Sequence, residues 1–322
     1  MQRVVIRGTG HYVPQRRLTN EDLTRMVDTT DEWILSRTGI SERRIAAPEE
    51  ATSDLALAAA RAALEDAGMT AQDLDLILVA TVSGDYPFPA VACLLHHQLG
   101  CLPRTAAFDV SATCVGFLTA LQVAEQYIRC GTHKNVLVIG AEALSRFTDY
   151  EDRGTCILFS DGAGAAILSR GEEKDGAGIL HTLLRADGQY ADLLYIPGGG
   201  SREPAGKNKM AMDGNKIFKL AVNAMTQAVK EALAATNLTI DDIDWVVPHQ
   251  ANQRIIDAVA RHLSLPMDKV VCTVREYGNN SAATIPLAFD LAIKEGKIQR
   301  GQKVLLTAFG GGLVWGAAIL EY

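Results

Sequence analysis

The chain has 322 residues, with 31 Lys and Arg against 38 Asp and Glu, a net charge of −7. Its 48% hydrophobic and 21% charged residues are the usage of a globular protein, with length enough for about two domains. The acidic balance argues against general nucleic-acid binding, and the longest apolar runs, such as Leu76–Val82, are too short to span a bilayer. Arg7 interrupts the apolar stretch a signal peptide would need at the amino end. Six scattered cysteines with no CxxC pair indicate neither a zinc site nor a disulfide framework, so the chain reads as reduced and cytosolic.

In chain order, Val4-Val5-Ile6 predicts a short strand ending at Gly8-Thr9-Gly10. The third glycine of a dinucleotide fingerprint is missing there, and Pro14 follows where a helix should run. Thr52-Ser53-Asp54 opens an alanine-rich helix, Leu55–Ala67, stopped by Gly68. Leu76–Ala80 reads as a buried strand, Val91–Leu99 as a helix and Ala106–Val110 as a strand. A long apolar helix, Cys114–Ile128, precedes the strand Val136–Ile139. Strands alternating with helices indicate an α/β fold whose strands are buried on both faces.

The second half repeats this plan. A shift of 169 residues brings Leu64 onto Leu233, Thr70 onto Thr239, Asp73 onto Asp242 and Asp75 onto Asp244. Val136-Leu137 is echoed by Val304-Leu305, and Gly164–Leu168 by Gly316–Leu320. The repetition predicts two duplicated halves, 1–172 and 173–322, joined through the polar stretch Arg170–Gly178. Pro197–Gly214 reads as the longest loop.

Duplication puts Cys114 and Asn279-Asn280-Ser281 in equivalent places, each after a strand and at the start of an alanine-rich helix (Cys114–Ile128 and Ser281–Ile293). A helix amino terminus carries partial positive charge and lowers a thiol's pKa, so Cys114 is a candidate nucleophile. The other five cysteines read as packing residues. His249 follows the strand Asp244–Val247 through Pro248, at the carboxyl edge where α/β sheets place catalytic groups. Phe309-Gly310-Gly311-Gly312 follows the strand Lys303–Thr307 and suits either an oxyanion hole or a tight turn. There is no Gly-x-Ser-x-Gly elbow, and Gly206-Lys207 does not complete a P-loop.

Several segments together resemble the β-ketoacyl-acyl-carrier-protein synthase III family of the thiolase superfamily. They are Asp31–Ile34 with Arg37–Ile40, Asp109–Phe117, Asp152–Thr155, Phe159–Ala165, Pro248–Asn252, Tyr277–Ala283 and Phe309–Gly316. The resemblance implies a thiolase-like α/β fold of two duplicated halves in a five-layered α-β-α-β-α arrangement. It places the catalytic triad on Cys114, His249 and Asn279, and the oxyanion donors on the amides of Cys114 and Gly311. Coenzyme A and substrate contacts fall on Trp33, Arg37, Arg153, Asn252 and Phe309, with indole and guanidinium suited to sandwiching an adenine. Phe88 matches a residue that reaches into the partner's acyl pocket across a homodimer interface. Gly84–Pro87 beside it follows the family less closely, as do Thr113 and Asn280.

The implied reaction is ping-pong. Cys114 takes the acyl group of an acyl-CoA, acetyl-CoA above others, and malonyl-acyl-carrier protein then loses carbon dioxide to an enolate held by His249 and Asn279. That enolate attacks acyl-Cys114, with no metal or redox cofactor required. For the acidic carrier protein, Ile196–Lys219 offers Arg202, Lys207, Lys209, Lys216 and Lys219 against Glu203 and Asp213. Arg254 and Arg261 share one face of the helix after His249. Lys219 and Arg254 also match family positions, so Lys219, Arg254 and Arg261 are the docking candidates. A second cysteine in Phe309–Gly316 would mark a thiolase, and a His in place of Asn279 an elongating synthase; neither is present. A starter synthase of a polyketide or signal-molecule pathway shares the triad, and a catalytically silent carrier-binding homologue is the remaining alternative.

Overall fold

The computed structural model describes residues 2–172, 176 and 178–322, so part of the polar join at 170–178 lies outside the described residues. Nine strands build the two main sheets: β1 (Val4–Tyr12), β2 (Leu76–Ala80), β3 (Ala106–Val110), β4 (Asn135–Ala143), β5 (Asp161–Arg170), β6 (Gly178–Ala186), β7 (Trp245–Pro248), β8 (Lys303–Gly310) and β9 (Val314–Glu321). The first sheet has the order β1-β5-β4-β2-β3 and the second β7-β8-β9-β6. β2 lies parallel to β4, which is antiparallel to β5, which is antiparallel to β1. In the second sheet β7, β8, β9 and β6 repeat those senses in turn. The duplication read from sequence echoes is thus carried by topology, and β3 is the first sheet's additional edge strand.

The helices used below are α1 (Asp31–Thr38), α2 (Thr52–Ala67), α3 (Val91–Leu99), α4 (Gly116–Arg129), α5 (Gly214–Thr236), α6 (Gln253–His262) and α7 (Thr284–Lys294). α2 and α3 cover the outer face of the first sheet, α4 and α7 lie between the sheets, and α5 with α6 covers the second sheet. That is the five-layered α-β-α-β-α arrangement. The largest apolar cluster fills the middle layer, where Phe117, Leu121, Ile285 and Phe289 meet Leu78, Val138, Val304 and Leu306. Burial from both sides explains why the central strands read as continuous apolar runs.

β2, β3 and α3 have the bounds the sequence predicts; β1 does not. It continues through Gly8 and Gly10 to Tyr12, because those glycines let a helix approach rather than end the strand. A Cβ on Gly8 would lie 2.4 Å from Ala67 N, and one on Gly10 2.4 Å from Ala63 N, both on the α2 backbone. The two apolar helices also begin later than predicted. Residues 113–115 and 281–283 form single 3-10 turns, and α4 and α7 start at Gly116 and Thr284. Thr113 and Ser281, at the starts of these turns, have left-handed φ values of 46° and 47°. Within Pro197–Gly214, the short strand Ala211–Met212 pairs with Leu194–Tyr195. Among the described residues, no helix is long and apolar enough to cross a membrane.

Candidate active site

The two left-handed turns face each other at the junction of the halves. Cys114 leaves β3 through Ser111-Ala112-Thr113 and is buried at the end of that excursion. Thr113 Oγ1 donates to Gly311 O at 3.0 Å, tying this turn to the glycine segment after β8. A Cβ on Gly310 would stand 2.4 Å from Thr113 Oγ1 and 2.9 Å from Cys114 N. Only glycine fits there, and Gly310 rather than Gly311 lines the cavity in front of the thiol. From the opposite turn, Ser281 Oγ donates to Cys114 Sγ at 3.4 Å.

His249 is held by its own backbone: its N–H donates to Thr307 O at 2.8 Å, extending the β7–β8 ladder. Its ring Nδ1 lies 2.6 Å from Thr284 Oγ1, and Thr284 Oγ1 lies 2.9 Å from Ser281 O. The threonine has one proton for two acceptors in reach. When that proton is turned to Nδ1, the neutral imidazole carries its hydrogen on Nε2. Burial lowers the His249 pKa to about 3, so the ring is neutral at physiological pH.

Asn279 is fixed on both sides of its backbone, its N–H donating to Leu158 O at 2.9 Å and its carbonyl accepting from Ser160 N at 2.9 Å. Gly278 before it takes φ 60°, and a Cβ there would be 3.0 Å from Ser160 Cβ. The side-chain Oδ1 accepts from Ser281 N at 2.9 Å, which leaves Nδ2 as the donor for an incoming oxygen.

Cys114, His249, Asn279 and Phe309 wall the inner part of one cavity of about 840 Å³. Its outer part is lined by Trp33, Arg37, Arg153, Asn252, Lys219 and Arg254. The Arg153 guanidinium lies 4.6 Å from the centre of the Trp33 ring, and Arg37 lies 5.6 Å from it. At 4.6 Å the indole and Arg153 stack on each other, leaving no space for a purine between them; Arg153 also donates to Asp28 O at 2.8 Å. Asn252 caps α6 by accepting from Arg254 N at 2.8 Å and donates to Arg37 O at 3.0 Å, so it orders the rim. Arg254 packs 5.3 Å from the Phe218 ring, while Arg261 stands in a neighbouring groove shared with Lys219 and Arg254. Phe88 is 84% exposed and outside the cavity.

One expectation is corrected. The thiol is not lowered by a helix terminus: burial pushes the Cys114 pKa up to about 12, and the nearby Glu142 carboxylate adds to the rise against the opposing bond from Ser281. The helix proper begins two residues beyond the sulfur, and desolvation by burial is the largest cause of the rise. Sequence reasoning also missed Ser281, Thr284 and Phe218 as site residues. The spacing of Ser281 and Thr284 across one turn was the available signal, but their partners lie on other segments.

Residues 108–188 match the family of 3-oxoacyl-[acyl-carrier-protein] synthase III, and residues 233–322 match that family's C-terminal region. The chain is 53% identical over 320 residues, 98% of each protein, to a β-ketoacyl-[acyl-carrier-protein] synthase III of Thiobacillus denitrificans. Among solved structures it is similar to 3-oxoacyl-[acyl-carrier-protein] synthase III of Aquifex aeolicus, with a TM-score of 0.93 and 46% identity over 100% of both chains. It is similar also to the priming β-ketosynthase of the R1128 polyketide pathway, with a TM-score of 0.92 and 35% identity over 99% of this chain and 96% of that one. Fold and relatives together define a condensing acyltransferase of thiolase fold. The chain belongs to the β-ketoacyl-[acyl-carrier-protein] synthase III family, whose place is in fatty-acid biosynthesis.

Proposed function

We propose that this protein initiates fatty-acid synthesis by condensing an acyl-CoA primer, acetyl-CoA above others, with malonyl-acyl-carrier protein to give 3-oxoacyl-carrier protein. The observation that carries this reading is the single cavity running from the exposed cations Arg37, Lys219 and Arg254 to the buried Cys114, His249 and Asn279. A phosphorylated pantetheine arm suits such a channel, with its phosphates at the cationic rim and its thioester at the sulfur. Cys114 exchanges the thioester, coenzyme A leaves, and the second thioester enters the same channel. Asn279 Nδ2–H and His249 Nε2–H donate to the thioester oxygen as decarboxylation places charge on it. The amides of Cys114 and Gly311 serve as oxyanion donors for the acyl-Cys114 carbonyl; Gly311 follows the cavity-lining Gly310 and is tied to the Cys114 turn through Thr113, which supports this role. Thioester exchange and loss of carbon dioxide need neither a metal nor a redox cofactor.

Trp33, Arg37, Arg153, Asn252 and Phe309 take the coenzyme A contacts in this reading, with Arg153 swinging aside or stacking outside the adenine. Lys219, Arg254 and Arg261 form the rim on which an acidic carrier docks. The working form is a cytoplasmic homodimer. Its support is β3, an edge strand with half-exposed Phe108, and the nearby exposed aromatics Tyr86 and Phe88. The halves divide near residue 172, since the strands of the first sheet end at Arg170 and those of the second begin at Gly178.

A steady-state comparison of acetyl-, butyryl-, isobutyryl- and octanoyl-CoA against malonyl-carrier protein tests the reading. The expected product is 3-oxobutyryl-carrier protein, with acetyl-CoA giving the highest kcat/KM. A clear preference for a longer or branched primer would instead favour a specialised starter synthase. Absence of any 3-oxoacyl-carrier protein would overturn the function.

A further inference from the structure

The largest of the fully buried side chains is a cation. Arg43, on the short strand Glu42–Ile45, has no surface exposed to solvent. Burial lowers its pKa to about 10, which still leaves the guanidinium charged at physiological pH. Its hydrogen bonds run to neutral oxygens. Nε donates to Ile157 O at 3.0 Å, Nη2 donates to the same carbonyl, and Nη1 donates to Asn20 Oδ1 at 2.5 Å. A buried charge met by neutral acceptors is poor stabilisation, because an apolar side chain of similar volume avoids its desolvation. Packing alone does not account for it.

The two acceptors lead to the two walls of the outer cavity. Ile157 closes the single turn Arg153–Cys156 and itself lines the cavity, so Arg43 fixes the wall that carries Arg153. Asn20 passes the hold to the other wall. Its Nδ2 donates to Asp31 Oδ1 at 2.7 Å and to Ile40 O at 2.9 Å, which lie at the start of α1 and just beyond its end. α1 carries Trp33 and Arg37, and the Trp33 ring meets the Arg153 guanidinium across the gap at 4.6 Å.

We propose that Arg43 is a positioning residue for the nucleotide end of coenzyme A, acting by fixing these two walls against each other. The inference rests on the reading of Trp33, Arg37 and Arg153 as coenzyme A contacts. The stack must part for a purine to enter, and Arg43 lies behind both walls, where it keeps their backbones in place while the Arg153 side chain moves. A guanidinium suits the task because its planar fork reaches both acceptors at once, as a lysine cannot. Without it α1 and the 153–157 turn move separately, although Asn252, bonded to Arg37 O at 3.0 Å, still ties α1 to α6. The effect therefore falls on the nucleotide and not on the thioester deeper in the cavity.

The test is single-turnover acetylation of Cys114 by acetyl-CoA and by acetyl-phosphopantetheine, which has the same arm and thioester without the nucleotide. Arg43→Met removes the donors but keeps a stem of similar reach beside Gly278. It should raise the half-saturating acetyl-CoA concentration about tenfold, the lower end for loss of a group that orients ligating side chains, with the maximal rate unchanged. Acetyl-phosphopantetheine should react as with wild type, and Arg43→Lys, with one ammonium for a fork, should fall between wild type and Arg43→Met toward acetyl-CoA. Trp33→Ala is the control for nucleotide contact and should weaken acetyl-CoA likewise. If Arg43→Met does not fold, Asn20→Ser, which cuts only the branch to α1, is read in the same way and decides. Equal losses toward both acetyl donors would show a general structural role and overturn the proposal. An unchanged acetyl-CoA dependence in Arg43→Met beside a weakened Trp33→Ala would overturn it alone. No change in either variant would overturn the coenzyme A reading of the rim as well.

Discussion

At the scale of single residues, the site is an exercise in assigning few protons to many acceptors. Asn279 spends its Oδ1 on Ser281 N and keeps Nδ2 for an oxygen, a division that follows from one hydrogen bond of 2.9 Å. Thr284 divides one hydroxyl proton between Ser281 O and His249 Nδ1, and through that choice sets which ring nitrogen carries hydrogen at the cavity. Thr284→Val should therefore slow decarboxylation of malonyl-carrier protein by up to about two orders of magnitude, the loss typical of one oxyanion donor. Acetylation of Cys114 should fall far less, and Thr284→Ser should restore both steps. Separate single-turnover assays of the two half-reactions check this, and equal losses in both would contradict it. Cys114, His249 and Asn279 were legible in the sequence because the motifs around them are local. Ser281 and Thr284 were not, because their roles exist only through distant partners, Thr284 through His249 35 residues away and Ser281 through Cys114 167 residues away.

Elements show the same split between local and distant causes. Apolar runs bounded by turn residues gave β2, β3 and α3 to the residue, and β2, buried along its whole length, leaves the unbroken apolar signature of a strand covered on both faces. Glycines misled where packing, not turning, requires them, as in β1 against α2. Gly140 in β4 is a sharper case. A Cβ there would lie 2.2 Å from Ala282 O and 2.7 Å from Ala282 C, atoms of the very turn that begins with Ser281. Neither strand nor turn can yield, because β4 is hydrogen-bonded on both sides and residues 281–283 hold the site. Gly140→Ala should cost about 1–3 kcal/mol through overpacking and depress activity along with it. The denaturation midpoint measures this, and an unchanged midpoint would show that the turn is less fixed than its contacts imply.

For the whole molecule, duplication is what assembles the chemistry. Each half contributes a left-handed turn between a strand and a middle-layer helix, with φ values of 46° at Thr113 and 47° at Ser281. Facing each other across the join, one turn brings the thiol and the other brings the carboxamide and the hydroxyl that touches the sulfur. The repeated order of sequence echoes made the doubled architecture legible. The 3-10 turns were not, since they are shaped by contact between halves rather than by either half's own pattern. The same contact buries the thiol and raises it to about 12, reversing the expectation drawn from a helix terminus alone. The account stands on Cys114 as the group that carries the acyl chain. It is tested most directly by incubating the protein with acetyl-CoA, digesting it and locating the added acetyl group by mass spectrometry. One acetyl group per chain on Cys114, discharged when malonyl-carrier protein is added as 3-oxobutyryl-carrier protein appears, is the predicted result. Acetyl on exposed Cys93, Cys130 or Cys272 with Cys114 unmodified would contradict the account.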